Sequence, residues 1–224
     1  MNVIAFTGKK RSGKDSAASM LVKHNPEYIP VSFAHPLKQM CQKYWGGAGI
    51  TEDQREELRL FRIDFRNVVK GMKSLGFPDT MSYDFTERVI DVFIDHAVSI
   101  DERYMELSCT YRQILQLVGT DVCRHFKDDI WIEKAKESID KTLALGKSVV
   151  ITDLRFENEA HMLSEDYNAF IVEIRRDMCY NHTRLGNEDH KSEKGVPTQY
   201  VDFVIDNNGT LEDYECKLIN LIGG

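Results

Sequence analysis

The chain has 224 residues, of which 42% are hydrophobic and 29% are charged. This composition is typical of a globular protein, and the length suffices for one α/β domain with a sizeable core. The formal net charge of −7 argues against a nucleic-acid-binding surface. A polyanionic ligand would need a local basic cluster, which favours a small phosphorylated molecule over a long duplex.

The sequence shows no pattern typical of secretion, membrane insertion or disulfide bonding. Its five cysteines are scattered and never form a Cys-x-x-Cys pair, so neither a disulfide framework nor a zinc site is expected. The first residues, MNVIAF, lack the charged region of a signal peptide. No apolar run approaches the roughly 18 residues of a membrane span. We therefore expect a cytoplasmic protein with neither membrane nor nucleic-acid partners.

Short apolar runs alternate with helical patterns along the chain. The strand patterns lie at 2–7, 28–33, 148–156, 169–176 and 202–209. The helical patterns lie at 14–24, 36–45, 51–75, 86–98, 110–119, 129–146 and 210–222. This alternation predicts an α/β fold with a parallel sheet and helices on both faces. We expect a single domain over 1–224 with a helical insertion at about 46–110.

The segment from Gly8 to Lys14 reads GKKRSGK and matches the phosphate-binding pattern GxxxxGK. It lies between a predicted strand and a predicted helix, which is the context that phosphate binding needs. Glycines let backbone N–H groups close around phosphate oxygens, the helix N-terminus adds positive charge, and the lysine reaches the phosphates. Lys9, Lys10 and Arg11 add further positive charge. The alternative is a glycine turn with solvated cations.

Asp15 follows the lysine of this loop, where the common pattern has Ser or Thr. A carboxylate is a hard oxygen ligand that suits Mg²⁺, either directly or through a water molecule. Ser16 offers a hydroxyl one residue further on. Alternatively, Asp15 only stabilises the first helical turn through its negative charge. The sequence leaves both roles open.

A second candidate cluster follows the apolar run at 148–152, in VVITDLRF. Asp153 comes directly after this strand pattern and should emerge at the carboxyl edge of the sheet, where open α/β folds bind ligands. An aspartate there can orient Mg²⁺ or a substrate hydroxyl, and Arg155 can hold a phosphate in bidentate fashion. The alternatives are a strand-end turn with a surface ion pair and, for Glu159, a solvated helix face.

Further cations are widely separated in the sequence. Two nucleotides bring several phosphate charges together, and only several cations can neutralise them. The candidates are Lys38, Arg112, Arg124, Arg175, Arg176 and Arg184. Each of these, taken alone, is more readily interpreted as a surface charge. Trp45 and Trp131 fall at apolar positions of helical patterns, which favours core packing for both.

Six short motifs follow one another along the chain: GKKRSGKDS, FAHPLKQ, RQILQLVGTD, DIWIEKA, ITDLRFENEA and HKSEKG. In this order they resemble the motifs of the bacteriophage deoxynucleoside monophosphate kinases. The match runs through most of the chain and is weakest at 46–105. An aspartate after the loop lysine belongs to that family's pattern. GxxxxGK alone is unspecific, whereas the combination is much more specific.

The resemblance implies a P-loop nucleoside monophosphate kinase fold, with a helical part for the monophosphate and a small lid at about 175–197. It implies transfer of the γ-phosphate of ATP to a deoxynucleoside monophosphate for DNA precursor synthesis, with Mg²⁺. For a chain of phage origin it implies the host cytoplasm. The residues implied for ATP are Lys10, Arg11, Gly13, Lys14, Asp15, Ser16 and Ala17, with Asp15 and Ser16 also holding the metal.

For the monophosphate, the resemblance implies Lys38, Arg62, Arg112, Gly119, Trp131, Asp153, Arg155 and Glu159. Lys14, Arg112, Asp153 and Arg155 would act in catalysis. The family has an arginine in the inserted segment, and Arg62 is favoured among Arg55, Arg59, Arg62 and Arg66 without an unambiguous alignment. Under this resemblance Trp131 contacts the base or sugar, which leaves core packing as the alternative.

Rival functions remain at this point. A dephospho-coenzyme A kinase or a phosphomevalonate kinase would share the loop and the sheet but use another acceptor. A switch GTPase would need an NKxD motif, which the sequence lacks. A non-catalytic module would bind ATP without consuming it. The sequence also leaves open which bases are accepted, the preference for deoxyribose over ribose, and whether the chain forms a homodimer.

Overall fold

The computed structural model describes residues 2–51, 53–177 and 195–222. The chain divides into two compact units, one formed by Met1–Phe33 with Trp131–Gly224 and the other by Ala34–Ile130. We call the first the sheet unit and the second the inserted unit. Within the described residues, no helix is both long enough and apolar enough to cross a membrane.

The strands, in chain order, are β1 (Val3–Thr7), β2 (Tyr28–Val31), β3 (Leu58–Asp64), β4 (Ala97–Ile100), β5 (Tyr104–Thr110), β6 (Ser148–Ile151), β7 (Phe170–Arg175) and β8 (Phe203–Asp206). The helices are α1 (Lys14–His24), α2 (His35–Tyr44), α3 (Phe65–Ser74), α4 (Ser82–Phe93), α5 (Tyr111–Gln116), α6 (Arg124–Phe126), α7 (Ile130–Ala144), α8 (Glu157–Tyr167) and α9 (Leu211–Ile222). A π-helical segment, Leu117–Cys123, joins α5 to α6.

The sheet unit contains a five-stranded sheet in the order β2-β6-β1-β7-β8, with helices on both faces. Every neighbouring pair of strands is parallel. All five residues of the central strand β1 are buried, as expected for a parallel sheet covered on both sides. The predicted α/β fold is therefore confirmed.

The core of the sheet unit includes a cluster in which α1 and α9 pack on the sheet. Phe6 of β1 is fully buried there, together with Ala17 of α1 and Leu218 of α9. This packing brings the last helix of the chain against the helix that follows the glycine loop. It matters for the site because both helices then contribute contacts to that loop.

The inserted unit contains, besides its helices, an antiparallel sheet in the order β3-β5-β4, which the prediction of a helical insertion at about 46–110 did not include. The helical prediction for 51–75 fails over β3, where Phe61 and Ile63 are buried while Leu58 and Leu60 are exposed. Side chains that alternate in this way follow the period of a strand. The arginines and leucines of this segment have good helix propensity, but pairing with β5 overrides it.

Candidate active site

The glycine loop joins β1 to α1, in the context that the sequence predicts. Gly8 and Gly13 have φ angles of 131° and 109°, and Arg11 adopts a left-handed φ of 62°. A Cβ atom on Gly8 would lie 2.3 Å from the carbonyl oxygen of Ile174 in β7. Glycine is therefore required at the start of the loop, both for its backbone angle and for this close approach.

The ammonium group of Lys14 is held against the backbone of the loop. Its Nζ donates hydrogen bonds to the carbonyl oxygens of Gly8, at 2.6 Å, and of Lys9, at 2.8 Å. These contacts place one positive charge at a loop whose helix N-terminus already carries partial positive charge. The arrangement suits a polyphosphate, because a fixed ammonium charge and the backbone amides of the loop lie together in one place.

Asp15 and Ser16 lie exposed in the first turn of α1. The described part of the chain has no group of three or more His, Cys, Asp or Glu residues that would hold a metal ion. Mg²⁺ does not require such a group when substrate phosphates supply most of its oxygen ligands, because one or two protein ligands then suffice. One carboxylate and one neighbouring hydroxyl fit that requirement. The metal role of both residues stays a prediction.

The remaining residues predicted for ATP differ in their surroundings. Arg11 is exposed and Lys10 is half-buried. Ala17 is fully buried, and its N–H donates to the carbonyl oxygen of Gly13 at 2.9 Å within α1. Packing and helix formation thus account for Ala17, and its contact with ATP stays a prediction.

Asp153 lies where the sequence predicts, at the carboxyl edge of the sheet just beyond β6. One carboxylate oxygen accepts a hydrogen bond from the backbone N–H of Phe33 at 2.9 Å. The other accepts from the hydroxyl of Ser32 at 2.7 Å. Since Ser32 and Phe33 follow β2, the carboxylate ties together the ends of two adjacent parallel strands, which is the ligand-binding edge of open α/β sheets.

Glu159 is only 2% exposed, so its interpretation as a solvated face residue is wrong. Its Oε2 atom accepts hydrogen bonds from the backbone N–H groups of Arg155, at 3.0 Å, and Phe156, at 3.1 Å. The carboxylate thereby caps the N-terminus of α8 and is buried by that contact. The segment that carries the half-buried Arg155 is fixed at the same time.

The inserted unit holds Lys38, Arg112 and Gly119. Arg112 lies in α5, and its Nη1 is 3.6 Å from a carboxylate oxygen of Glu56. Gly119 lies in the π-helical segment, where a Cβ atom would approach Cδ2 of Leu37 to 2.6 Å. Glycine at this position therefore allows α2, which carries Lys38, to pack closely against the segment after α5. The ligand contacts of these residues stay predictions.

The arginines of 55–66 have different partners. Arg62 is exposed on β3, with its guanidinium carbon 3.6 Å from the centre of the Tyr104 ring. Arg59 donates to Glu57 at 2.5 Å, and Arg66 donates to Asp64 at 2.8 Å. Stacking on an aromatic ring leaves the edge donors of a guanidinium accessible. The choice of Arg62 stays a prediction.

Both tryptophans are buried, which confirms their predicted core packing: Trp45 is 0% exposed and Trp131 is 4% exposed. A contact between Trp131 and a nucleotide stays a prediction.

Arg124 is buried as well and donates to the carbonyl oxygen of Asp128 at 2.8 Å, so it is not a surface charge. Arg175 lies exposed at the end of β7 and donates to Glu173 at 2.7 Å.

Most of the predicted lid, at about 175–197, lies outside the described residues, as does Arg184. Arg176 is described and is exposed just after β7.

Two contacts to the glycine loop have no counterpart in the sequence predictions. Asn207 donates from Nδ2 to the carbonyl oxygen of Ser12 at 2.8 Å. Tyr214 donates from its hydroxyl to the carbonyl oxygen of Gly13 at 3.0 Å. Burial raises the pKa of Tyr214, so the hydroxyl remains a donor throughout the neutral range. The partners are 195 and 201 residues apart, and no local pattern relates positions at such separations.

A parallel sheet, a glycine loop between β1 and α1, and a lysine held at that loop are the features of a P-loop NTPase fold. The fold resembles that of a dephospho-CoA kinase from Campylobacter jejuni, with a TM-score of 0.51 and 12% sequence identity, over 99% of this chain and 96% of that one. At this identity the likeness shows the fold alone.

The family model for deoxynucleotide monophosphate kinase matches residues 49–218. The chain therefore belongs to the deoxynucleotide monophosphate kinase family, whose members are phosphotransferases. A relative from Acanthamoeba polyphaga mimivirus is 26% identical over 99% of this chain and 96% of its own length. The deoxynucleotide monophosphate kinase of Enterobacteria phage T4 is 22% identical over 99% of each chain. The resemblance found in the six motifs is thus confirmed.

The match to the family model begins beyond the glycine loop. The phosphate-binding assignment of residues 8–14 therefore depends on the loop's own geometry and on its position between β1 and α1.

Proposed function

We propose that this protein transfers the γ-phosphate of ATP to a deoxynucleoside monophosphate, giving a deoxynucleoside diphosphate and ADP. The observation that carries the proposal is the glycine loop with Lys14 held against it, in a chain that belongs to the deoxynucleotide monophosphate kinase family. Such a reaction would supply precursors for DNA synthesis.

On the donor side, the loop amides and Lys14 bind and neutralise the β and γ phosphates of ATP. Lys10 and Arg11 add positive charge around them, and the glycine backbone at Gly13 permits close approach. Asp15 and Ser16 would hold Mg²⁺. When bound, this ion neutralises charge on the phosphate oxygens.

On the acceptor side, the sheet unit supplies Asp153 and Arg155. The guanidinium of Arg155 grips a phosphate in bidentate fashion, and Asp153 orients a hydroxyl or the metal from the edge of the sheet. Glu159 acts through the backbone that it caps. No strong general base is needed, because the acceptor oxygen already belongs to a phosphate.

We propose that four residues of the inserted unit also contribute to binding of the monophosphate: Lys38, Arg62, Arg112 and Gly119. Among these residues, Arg112 combines a planar guanidinium group with partial burial, as expected of a phosphate ligand. It lies near Glu56. Gly119 contributes by permitting close packing rather than by a side chain.

A coupled assay of ADP formation over the common ribo- and deoxyribonucleoside monophosphates tests this function directly. Dephospho-coenzyme A and phosphomevalonate serve as rival acceptors in the same assay. We expect ATP turnover with deoxynucleoside monophosphates. Turnover only with dephospho-coenzyme A would identify a different kinase, and ATP binding without turnover on any acceptor would identify a binding module.

We also propose a cytoplasmic location, with a lid at about 175–197. Cell fractionation tests the location, and protection of that segment from proteolysis when both nucleotides are bound tests the lid. Sedimentation over a range of protein concentrations distinguishes a monomer from a homodimer.

A further inference from the structure

The end of the glycine loop is held by side chains from the far end of the chain. Asn207 donates to the carbonyl oxygen of Ser12 at 2.8 Å, and Tyr214 donates to that of Gly13 at 3.0 Å. All of these residues belong to the sheet unit. Two consecutive peptide groups, immediately before α1, therefore have carbonyl oxygens that accept from side chains, and that of Gly13 also accepts from the backbone N–H of Ala17 at 2.9 Å.

The two donors are themselves well anchored. Asn207 follows β8 directly, and its backbone N–H donates to the carbonyl oxygen of Arg175 at 2.7 Å. Tyr214 is 2% exposed and lies in the first turns of α9. The N-terminus of α9 is closed by reciprocal hydrogen bonds between Thr210 and Asp213, at 3.1 and 3.2 Å. The positions of both donor groups are thus set by secondary structure.

The loop meets these donors closely. A Cβ atom on Gly13 would lie 2.5 Å from Nδ2 of Asn207 and 3.4 Å from a ring carbon of Tyr214. A side chain at Gly13 would therefore displace Asn207. The glycine of the GxxxxGK pattern thus serves a contact that the pattern itself does not reveal.

Because the peptide group is planar, a hydrogen bond to its carbonyl oxygen also orients its N–H group. A trans peptide is planar, so its N–H group points away from its carbonyl group. The described residues contain no cis peptide. Fixing the carbonyl of Ser12 therefore fixes the direction of the Gly13 N–H, and fixing the carbonyl of Gly13 fixes that of the Lys14 N–H. Amides at this position, at the N-terminus of the helix, are the groups that bind phosphate in such loops.

We propose that Asn207 and Tyr214 are positioning residues for the phosphates of ATP, acting through the amides of Gly13 and Lys14. The inference rests on the proposed function, since it assumes that the loop binds ATP. In this role both side chains act on the backbone of the loop and need no contact with the nucleotide. Their contribution is to restrict the orientations of the Gly13 and Lys14 N–H groups before ATP binds. Such preorganisation strengthens binding.

The first test is Tyr214→Phe, which removes the hydroxyl and keeps the buried ring. ATP affinity, titrated directly without an acceptor, should weaken by about two- to tenfold, the range for one neutral hydrogen bond. The affinity for the monophosphate should not change. Tyr167→Phe is the matched control, because it removes a hydroxyl that donates to Asp140 at 2.7 Å, in a contact between α8 and α7. This control should bind ATP normally.

The second test uses Asn207. Asn207→Ala removes the donor without adding charge and should weaken ATP binding while monophosphate binding survives. Asn207→Asp replaces the donor by a carboxylate facing the carbonyl of Ser12, so ATP binding should be weak at pH 8 and should recover as the carboxyl group is protonated. Asn208→Asp is the control, because it adds the same charge one residue away. The side chain of Asn208 donates to Asp177 and not to the glycine loop, so ATP binding by this variant should show no such recovery at low pH.

The outcomes separate the possibilities. Normal ATP affinity in folded Tyr214→Phe and Asn207→Ala would overturn the inference. Equal loss of ATP affinity, monophosphate affinity and thermal stability would also overturn it, since that pattern indicates general structural damage. A wild-type protein that binds ATP without transferring phosphate would contradict only the proposed function. A wild-type protein that binds no ATP would contradict both.

Discussion

Glu159, which is 2% exposed, accepts a hydrogen bond from the backbone N–H of Arg155 at 3.0 Å. A buried carboxylate thus fixes the backbone that carries a candidate phosphate ligand. The two residues are four positions apart, so the contact is local. The carboxylate of Glu159 turns back toward this N–H because it is part of the capping box that begins α8. Removal of the carboxylate should therefore affect stability and monophosphate binding together.

Glu159→Ala should lower the free energy of unfolding by about 2 kcal/mol, because it removes a charged acceptor from the N–H groups of the half-buried Arg155 and Phe156. Chemical denaturation measures the change. Glu157→Ala is the matched control in the same helical turn, where the side chain is exposed. Equal stability of the two variants would contradict the capping role.

Lys14→Ala should abolish kinase activity and leave the fold intact. Loss of a cation that neutralises phosphate charge commonly lowers the rate by about a thousandfold or more. The coupled assay measures this, with circular dichroism to verify folding. Lys23→Ala, in the last turn of the same helix, should keep normal activity. Near-normal turnover in folded Lys14→Ala would exclude the assigned role.

Asp15→Asn should raise the Mg²⁺ concentration needed for half-maximal rate if the carboxylate helps to hold the ion. Asp15→Ser restores the common loop pattern and should be milder than Asp15→Ala. The measurement is a Mg²⁺ titration of the initial rate at saturating nucleotides. An unchanged Mg²⁺ dependence in Asp15→Asn would leave only the helix-terminus effect, typically about 0.3–1 kcal/mol.

Arg112→Lys and Arg155→Lys should each weaken binding of the deoxynucleoside monophosphate and change ATP affinity little. Lysine keeps the charge but lacks the planar fork that binds a phosphate in bidentate fashion. Direct titration with each nucleotide is needed, because steady-state constants mix binding with chemistry. Arg66→Lys is a control, since that side chain is 85% exposed and pairs with Asp64. Collapse of ATP binding with intact monophosphate binding would reverse the assignment.

Gly119→Ala should destabilise the protein by about 1–3 kcal/mol through overpacking, because the added methyl group meets the buried Leu37. Thermal denaturation measures the loss. The double variant Gly119→Ala with Leu37→Val should recover part of it, since valine leaves room for the new methyl group. Additive losses in the double variant would show that the two positions are not in contact.

The local features of the donor site could be predicted from the sequence. Gly8, Gly13 and Lys14 are close in the chain, and their spacing together with the flanking strand and helix specifies one loop. Asp153 could be placed as well, because a polar residue directly after a buried strand must emerge at the edge of the sheet. In both cases the informative residues are neighbours in sequence.

The inserted unit was harder to predict. The leucines and arginines of β3 favour a helix by propensity, and the strand forms because Phe61 and Ile63 are buried when β3 pairs with β5. Glu159 was equally ambiguous, since a glutamate in the first turn of a helix suits either solvent or a cap. The packing around Glu159, which buries its side chain, decides in favour of the cap.

The sequence alone determined the glycine loop, the parallel sheet and the family resemblance, because each depends on short contiguous patterns of glycine, charge and apolar residues. Only the tertiary structure decided that Asn207 and Tyr214 hold the loop and that residues 58–64 form a strand. These features depend on contacts between segments that are distant in the chain. Such contacts depend on which distant segments pack together and on which polar groups then pair across them, and no local sequence pattern specifies either.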